Sequence, residues 1–329
     1  MLTGALEILQ QPNAFLGLKC LPMDMKQNAL AGRVALITGV SRRKGIGFAI
    51  ARRLSALGAS LFLHSFAAFD AAQPWGADSD GPVSLVDELR RQGVRVEHED
   101  SDFQISGAPE SLVRCAAVAF GHIDILVVNH AHSTLGSLED LTSDEIDRHL
   151  HANVRATLLL AKAFAAQHDG RPGGRIVLLT SGQHRGPMPG ELAHVASKGA
   201  LHQLTRSLSA HLAPRRITVN TINPGATDTG YASVVLHQDV LAREPQGRWG
   251  EPADARAEKS NVSTTARAAG LHTEAGREAA AVRNTRHPGP DDGNGSSFGS
   301  RTYLRGRFAA GTVRLPARPQ CTGRGETRP

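Results

Sequence analysis

A doubly wound parallel α/β sheet is the fold class this 329-residue sequence predicts, and three features predict it. Short apolar runs of strand length recur between stretches with helical periodicity. The first run is followed by a glycine-rich turn and then by a periodic helix. A later run, IDILVVN at 123–129, is continuously apolar, as a parallel strand covered on both faces requires.

Taken in order, Val34–Ile37 is the first strand, and TGVSRRKGIG leads from it into a helix whose Ile46, Ile50, Leu54 and Leu57 keep a helical period. Such a unit is a phosphate cradle. Glycines let the backbone approach a pyrophosphate, and the unpaired amides and dipole of the helix start favour its negative charge. Leu61–Phe66 follows as a strand with no acid at its end, then a turn-rich connection over Pro74–Pro82, a short helix over Val83–Gln92, a strand over Val94–Glu97 and a helix around Ser111–Phe120. Thr142-Ser143-Asp144-Glu145 is a capping box that opens a long helix to His168, with Ile146, Leu150, Val154, Leu158, Ala161 and Ala165 assigned to its inner face. Asn153 lies inside that helix, where asparagine is a mediocre former, so its presence calls for a reason. Arg175–Leu179 is the fifth strand and runs out at Ser181. A helix over Leu192–Leu212 then sets His194 and Lys198 four residues apart on one face, within reach of that serine. Ile217–Ile222 is the sixth strand.

Composition narrows the partners. From Ala255 onward there are 13 Lys and Arg against 6 Asp and Glu, so the chain's +6 sits in this tail and residues 1–254 carry about −1. A basic nucleic-acid face on the core is not expected. No apolar run reaches the ~18 residues of a membrane span and the first residues lack a basic leader, which points to a cytoplasmic protein. Cys20, Cys115 and Cys321 show no paired spacing, so neither a disulfide framework nor a metal knot is indicated. No metal is expected at His130 and His132 either, because no third ligand stands at a helpful spacing in sequence.

The serine at 181, the four-residue step to Lys198 and the glycine turn together resemble the short-chain dehydrogenase/reductase family, particularly its ketoacyl-reductase-like members, from residue 31 to about Pro252. The resemblance implies a Rossmann-like sheet and a catalytic set of Ser181, the residue at 194, Lys198 and Asn153. Ser181 would hydrogen-bond a substrate carbonyl, Lys198 would hold the nicotinamide ribose, and Asn153 would bend its helix and hold a water of the proton relay. His194 stands where the family has its tyrosine proton donor. For the cofactor, Gly39, Ser41, Gly45, Ile46 and Gly47 match the glycine loop, and Arg42 and Arg43, with Lys44, stand where a 2′-phosphate would be met, which favours NADP over NAD. Asp102 corresponds to the contact with the adenine edge. Asn129 and Ala131 match the family's Asn-Asn-Ala-Gly stretch, in which His130 and His132 are departures, and a side chain at 132 is expected to crowd the nicotinamide ribose. Pro224 and Gly225 correspond to the turn against the nicotinamide, Thr227 and Thr229 to residues bonding its amide or the phosphates, and Tyr231–Trp249 to a variable lid. The partner implied is a small carbonyl or alcohol substrate, and two long helices of the family commonly pair copies into a homo-oligomer.

The domain reading is an unassigned extension over 1–30, a reductase-like domain over 31–254 and a disordered basic tail over 255–329. The tail has no Ile or Met and no sustained period, where the family still needs a helix and a last strand. Three expectations follow: an NADP-dependent reductase working through His194, a catalytically silent NADP-binding protein, and the product of a degraded or out-of-frame reading frame. Met23 and Met25, just before the first element, raise the further expectation of a start codon placed too far upstream, with an arm packing on a partner subunit as the alternative.

Overall fold

Six strands form one parallel sheet in the computed structural model, which describes residues 28–243 and 247–254. They are β1 (Val34–Ile37), β2 (Ser60–Ser65), β3 (Val96–Asp100), β4 (Ile125–Val128), β5 (Gly174–Leu179) and β6 (Ile217–Ile222), in the spatial order β3-β2-β1-β4-β5-β6. The order reverses at β1, whose neighbours on the two sides are β2 and β4, with Leu36 beside Phe62 on one edge and Leu126 on the other. A crevice for a ligand opens at such a switch point, at the carboxyl ends of the strands.

Helices cover both faces. On one, Phe48 and Ala51 of α1 (Ile46–Ala56) and Leu85 and Leu89 of α3 (Gly81–Arg90) pack on Ile37, Leu61 and Val127. On the other, Leu112 and Ala116 of α4 (Ala108–Phe120), Leu160 and Phe164 of α6 (Ala156–Gln167) and Leu212 of α7 (Leu192–Leu212) pack on Leu36, Leu126, Ile176 and Val219. The lid expected over Tyr231–Trp249 contains α8 (Val234–Arg243). A five-residue helix, α2 (Ala67–Ala71), occupies part of a stretch for which the sequence predicts no element.

The long helix expected from Thr142 to His168 is interrupted. It starts as α5 (Ser143–His149), passes through a wider π-helical turn over Leu150–Arg155 and resumes as α6. The extra residue of that turn shifts the helical phase. Leu158, beyond the turn, is therefore set on the same outer side as Ile146 and Leu150 before it; all three, assigned by period to the inner face, are each 38% exposed, while His149, Asn153, Ala156 and Leu160 are buried. Ala161 and Ala165 do face the core. Half of the capping box forms: the Thr142 hydroxyl accepts from the Glu145 amide at 3.2 Å, but the Glu145 carboxylate turns instead to His132 and Thr134.

All described residues belong to a unit spanning Met1–Ala269. The readings made for residues 1–27, for the tail 255–329 and for a displaced start or frame lie outside the described residues.

Candidate active site

The strand ends open into a cavity of about 380 Å³. Its floor is set by close backbone approach. Gly39 adopts φ +73°, and a Cβ there would stand 2.8 Å from the Cα of His130; a Cβ on Gly47 would stand 2.4 Å from the carbonyl oxygen of Gly39. Asn129, leaving β4, clamps this turn by donating from Nδ2 to the carbonyls of Thr38 (3.1 Å) and Gly39 (2.9 Å). The ring of His64 supports it from β2, accepting from the Gly39 amide at Nδ1 (3.3 Å) and donating from Nε2 to Ser101 (2.8 Å). α1 begins at Gly45 with no side-chain cap, so its first-turn amides await an outside acceptor. Gly39, Ser41, Gly45 and Ile46 line the cavity beside that helix start, an arrangement that fits a dinucleotide diphosphate.

The basic loop is divided among acids. Arg42 lines the cavity, with Nε 2.8 Å from Asp70, a guanidinium nitrogen donating to the Thr229 carbonyl at 2.9 Å, and its guanidinium carbon 5.6 Å from the centroid of the Trp75 ring. Arg43 does not line it. Its guanidinium pairs with Glu88 and lies over Phe48, and Lys44 pairs with Asp228 at 3.2 Å. No acid ends β2, as expected, but α2 brings Asp70 to the same neighbourhood. Asp102, Asn129, Ala131, Pro224 and Thr229 line the cavity. Gly47 and Gly225 do not line it, and the Thr227 hydroxyl is turned into its own loop, donating to the Pro224 carbonyl at 3.2 Å.

Ser181, one residue beyond Thr180 at the exit of β5, shares the cavity with His194 and Lys198 from α7. Lys198 is 4% exposed and donates from Nζ to the Leu179 carbonyl at 2.9 Å; burial lowers its pKa to about 8. His194 is 8% exposed, and its pKa is lowered to about 3, chiefly by burial and then by the charges of Lys198 and His149. It is a neutral imidazole at pH 7, and its Nδ1 has no hydrogen-bond partner.

Asn153 lies on the π-helical turn, behind the cavity surface. Its Oδ1 accepts from the His132 amide (2.8 Å), and its Nδ2 donates to the His132 carbonyl and to Ser197 Oγ (2.9 Å each). Ser197 in turn donates to the His194 carbonyl at 2.9 Å. One amide thus joins the loop after β4, the kinked helix and the helix that carries His194.

The two histidines after β4 have separate fates. His130 is buried, with Nε2 donating to the Ala152 carbonyl and Nδ1 accepting from Thr38 (2.8 Å each). The His132 ring, expected to crowd the ribose, is drawn toward α5, where Nε2 meets Glu145 at 2.7 Å. The sequence predicts no third ligand near it. Glu145 and His149 of α5 both come close to it. Their i,i+4 spacing was the visible signal; its pairing with residue 132 was not. Glu191 and Tyr231 also line the cavity without having been singled out, and burial raises the pKa of each.

Sheet order, glycine cradle and the Ser181/Lys198 pair define a dinucleotide-binding oxidoreductase of the parallel α/β class. The model of the short chain dehydrogenase family matches residues 33–239. The chain is 36% identical over 225 residues to "Uncharacterized oxidoreductase YjdA" of Bacillus subtilis (strain 168), covering 68% of this chain and 86% of that protein. It is 35% identical to human "Dehydrogenase/reductase SDR family member 4", covering 70% and 80%. Among solved structures, a short chain dehydrogenase from Burkholderia cenocepacia J2315 in complex with NADP superposes with a TM-score of 0.62 at 37% identity, covering 70% of this chain and 89% of that one. The angucycline C-6 ketoreductase LanV with bound NADP superposes at 0.61 and 30% identity, covering 70% and 88%. The chain belongs to the short-chain dehydrogenase/reductase family, whose members are NAD(P)-dependent oxidoreductases. Among the described residues no helix is long and apolar enough to cross a membrane.

Proposed function

We propose that this protein is an NADP-dependent, 3-oxoacyl-reductase-like enzyme that interconverts a small carbonyl compound and its alcohol. The observation that carries this reading is the meeting of Ser181, His194 and Lys198 on one cavity beside the uncapped start of α1. NADP is favoured over NAD by Arg42 on the cavity wall and by the NADP held in two of the similar structures.

When bound, the reduced nicotinamide supplies a hydride to the carbonyl carbon. Ser181 holds the carbonyl oxygen by a hydrogen bond and so fixes which face is presented. As charge grows on that oxygen, the ammonium of Lys198 stabilises it across a site that burial makes poor in water. His194 delivers the proton from a neutral ring. A neutral imidazole is a weaker acid than an imidazolium and reaches less far than a phenol, so this proton transfer is expected to be slower than from the family's tyrosine. The amides at the start of α1 would hold the diphosphate, and Arg42, on the cavity wall, would meet a 2′-phosphate.

A second reading, a silent NADP-binding protein, is favoured by the burial of His194 and by the lack of any partner on its Nδ1. Fluorescence titration with NADPH and NADH, followed by turnover with a panel of carbonyl compounds, separates the two. The reductase reading expects turnover and a preference for NADPH above about tenfold that Arg42→Ala largely erases, since a charge-assisted contact contributes ~1.5–3 kcal/mol. Tight NADPH binding without turnover on any carbonyl supports the silent protein, and equal affinities for the two cofactors remove the NADP assignment.

The functional domain is proposed to span 31–254 and to act in the cytoplasm, in keeping with cysteines that lack paired spacing. Homo-oligomerisation through the α5–α6 arm and α7 is part of the same proposal, supported by the half-exposed Ile146, Leu150 and Leu158.

A further inference from the structure

We propose that His132, Glu145 and His149 form a binding site for one divalent transition-metal ion of the zinc class, at the wall of the cavity. One donor atom from each of the three lies within 4.8 Å of the other two. His132 Nε2 is 2.7 Å from Glu145 Oε1, and the His149 ring stands against the same carboxylate, its Nδ1 3.3 Å from that oxygen. Ligands about 2.0–2.1 Å from a tetrahedral ion stand roughly 3.4 Å apart, so the trio is near the spacing an ion imposes, with His132 and Glu145 opening by roughly 0.7 Å to admit it.

Three further features mark a site rather than a chance cluster. First, His149 is fully buried, and its Nε2 has no partner. Its Nδ1 lies 2.9 Å from the Glu145 carbonyl, which can only accept, so Nδ1 carries the hydrogen and the lone pair is left on Nε2. A ligating histidine held at its other nitrogen by a backbone carbonyl has this arrangement. Second, the Glu145 carboxylate is oriented from outside the trio by the Thr134 hydroxyl, which donates to Oε1 at 2.5 Å. Third, the set is two imidazoles and one carboxylate, a borderline donor set that suits zinc, cobalt or nickel rather than magnesium or calcium and leaves a fourth position open.

The ion would take the place of the hydrogen bond between His132 Nε2 and Glu145 Oε1. It would pin the loop after β4, through His132, to α5. His194 stands next to this point, its ring centroid 6.4 Å from that of His149, so the site adjoins the position proposed to donate the proton without including it.

The test is titration of metal-free full-length protein with Co2+, read by its visible d–d bands and by calorimetry, beside His132→Gln, Glu145→Gln and His149→Gln. One ion per chain with low-symmetry, four- or five-coordinate bands is expected, and each substitution should weaken binding by about 10–100-fold or more. X-ray absorption of the zinc-loaded wild-type protein, which needs no variant to fold, should show two imidazoles with oxygen filling the remaining positions. Circular dichroism melting checks that each variant is folded. Affinity equal in folded variants and wild type, or absorption from a fully hydrated ion, overturns the site and assigns binding to other histidines among the 15 in the chain.

Discussion

At position 194 an imidazole stands where the family's phenol would, and the change alters reach, acidity and hydrogen-bonding polarity together. Burial and the neighbouring ammonium of Lys198 keep the ring neutral, so it has one N–H to give and one lone pair to satisfy, and the lone pair at Nδ1 or its proton goes unmatched. Losing a well-placed acid typically costs ~10²–10⁴ in rate. His194→Tyr is therefore expected to raise carbonyl reduction by ~10²-fold or more at saturating NADPH, while Lys198→Ala removes activity in either background. Steady-state rates across pH decide between a damaged and an adapted acid. An unchanged or lower rate in the tyrosine variant, with cofactor binding intact, would sink the view that histidine impairs the site.

At the scale of elements, two devices position the site, and each makes a prediction. The cradle depends on the missing Cβ of Gly47, so Gly47→Ala must push apart the Gly39 turn and the Asn129 side chain. Overpacking of this kind costs ~1–3 kcal/mol, and NADPH affinity should fall with stability. Gly186→Ala, where a Cβ would meet nothing within 4 Å, is the matched control and should change neither. The second device is the π-helical turn that aims Asn153 inward. Asn153→Ala strips the buried His132 amide of its acceptor and should cost on the order of 2–3 kcal/mol in urea denaturation, because an orphaned buried donor loses its full solvation. A loss below about 0.5 kcal/mol would mean that water replaces the amide there. The glycine device was readable from TGVSRRKGIG alone. Asn153 was readable as an anomaly in its helix, but its partners His132 and Ser197, 21 and 44 residues away in sequence, were not.

For the whole molecule, the buried histidines set the response to acid. Burial is the leading cause that lowers His64 to about 4, and His130 and His194 to about 3. In the unfolded chain each titrates near 6.5, so as pH falls from 6.5 toward 3 the unfolded state takes up protons that the folded state refuses. Their depressed values therefore contribute stability that is complete above pH 6.5 and is lost as pH drops through that window. The expected loss is on the order of 2 kcal/mol per histidine at pH 5, read as a fall in the urea midpoint between pH 7 and pH 5. His64→Leu should shrink that fall; a midpoint unmoved by pH in the wild type would show that the rings are solvated.

The sequence by itself determined what depends on short-range pattern: strands as apolar runs, the glycine cradle, the helix step from His194 to Lys198, and the class of chemistry that Ser181 and Lys198 imply. Those signals survive because each is carried by residues that fold next to one another. Tertiary structure decided what depends on which distant segments meet. It turned Ile146 and Leu150 outward, and Leu158 with them through the phase shift of a π-helical turn, withdrew Arg43 from the cavity to Glu88, set Asp70 beside Arg42, and drew His132 to Glu145 and His149. Each is a choice among partners separated by many residues, made by packing and charge in three dimensions, and no local periodicity encodes it.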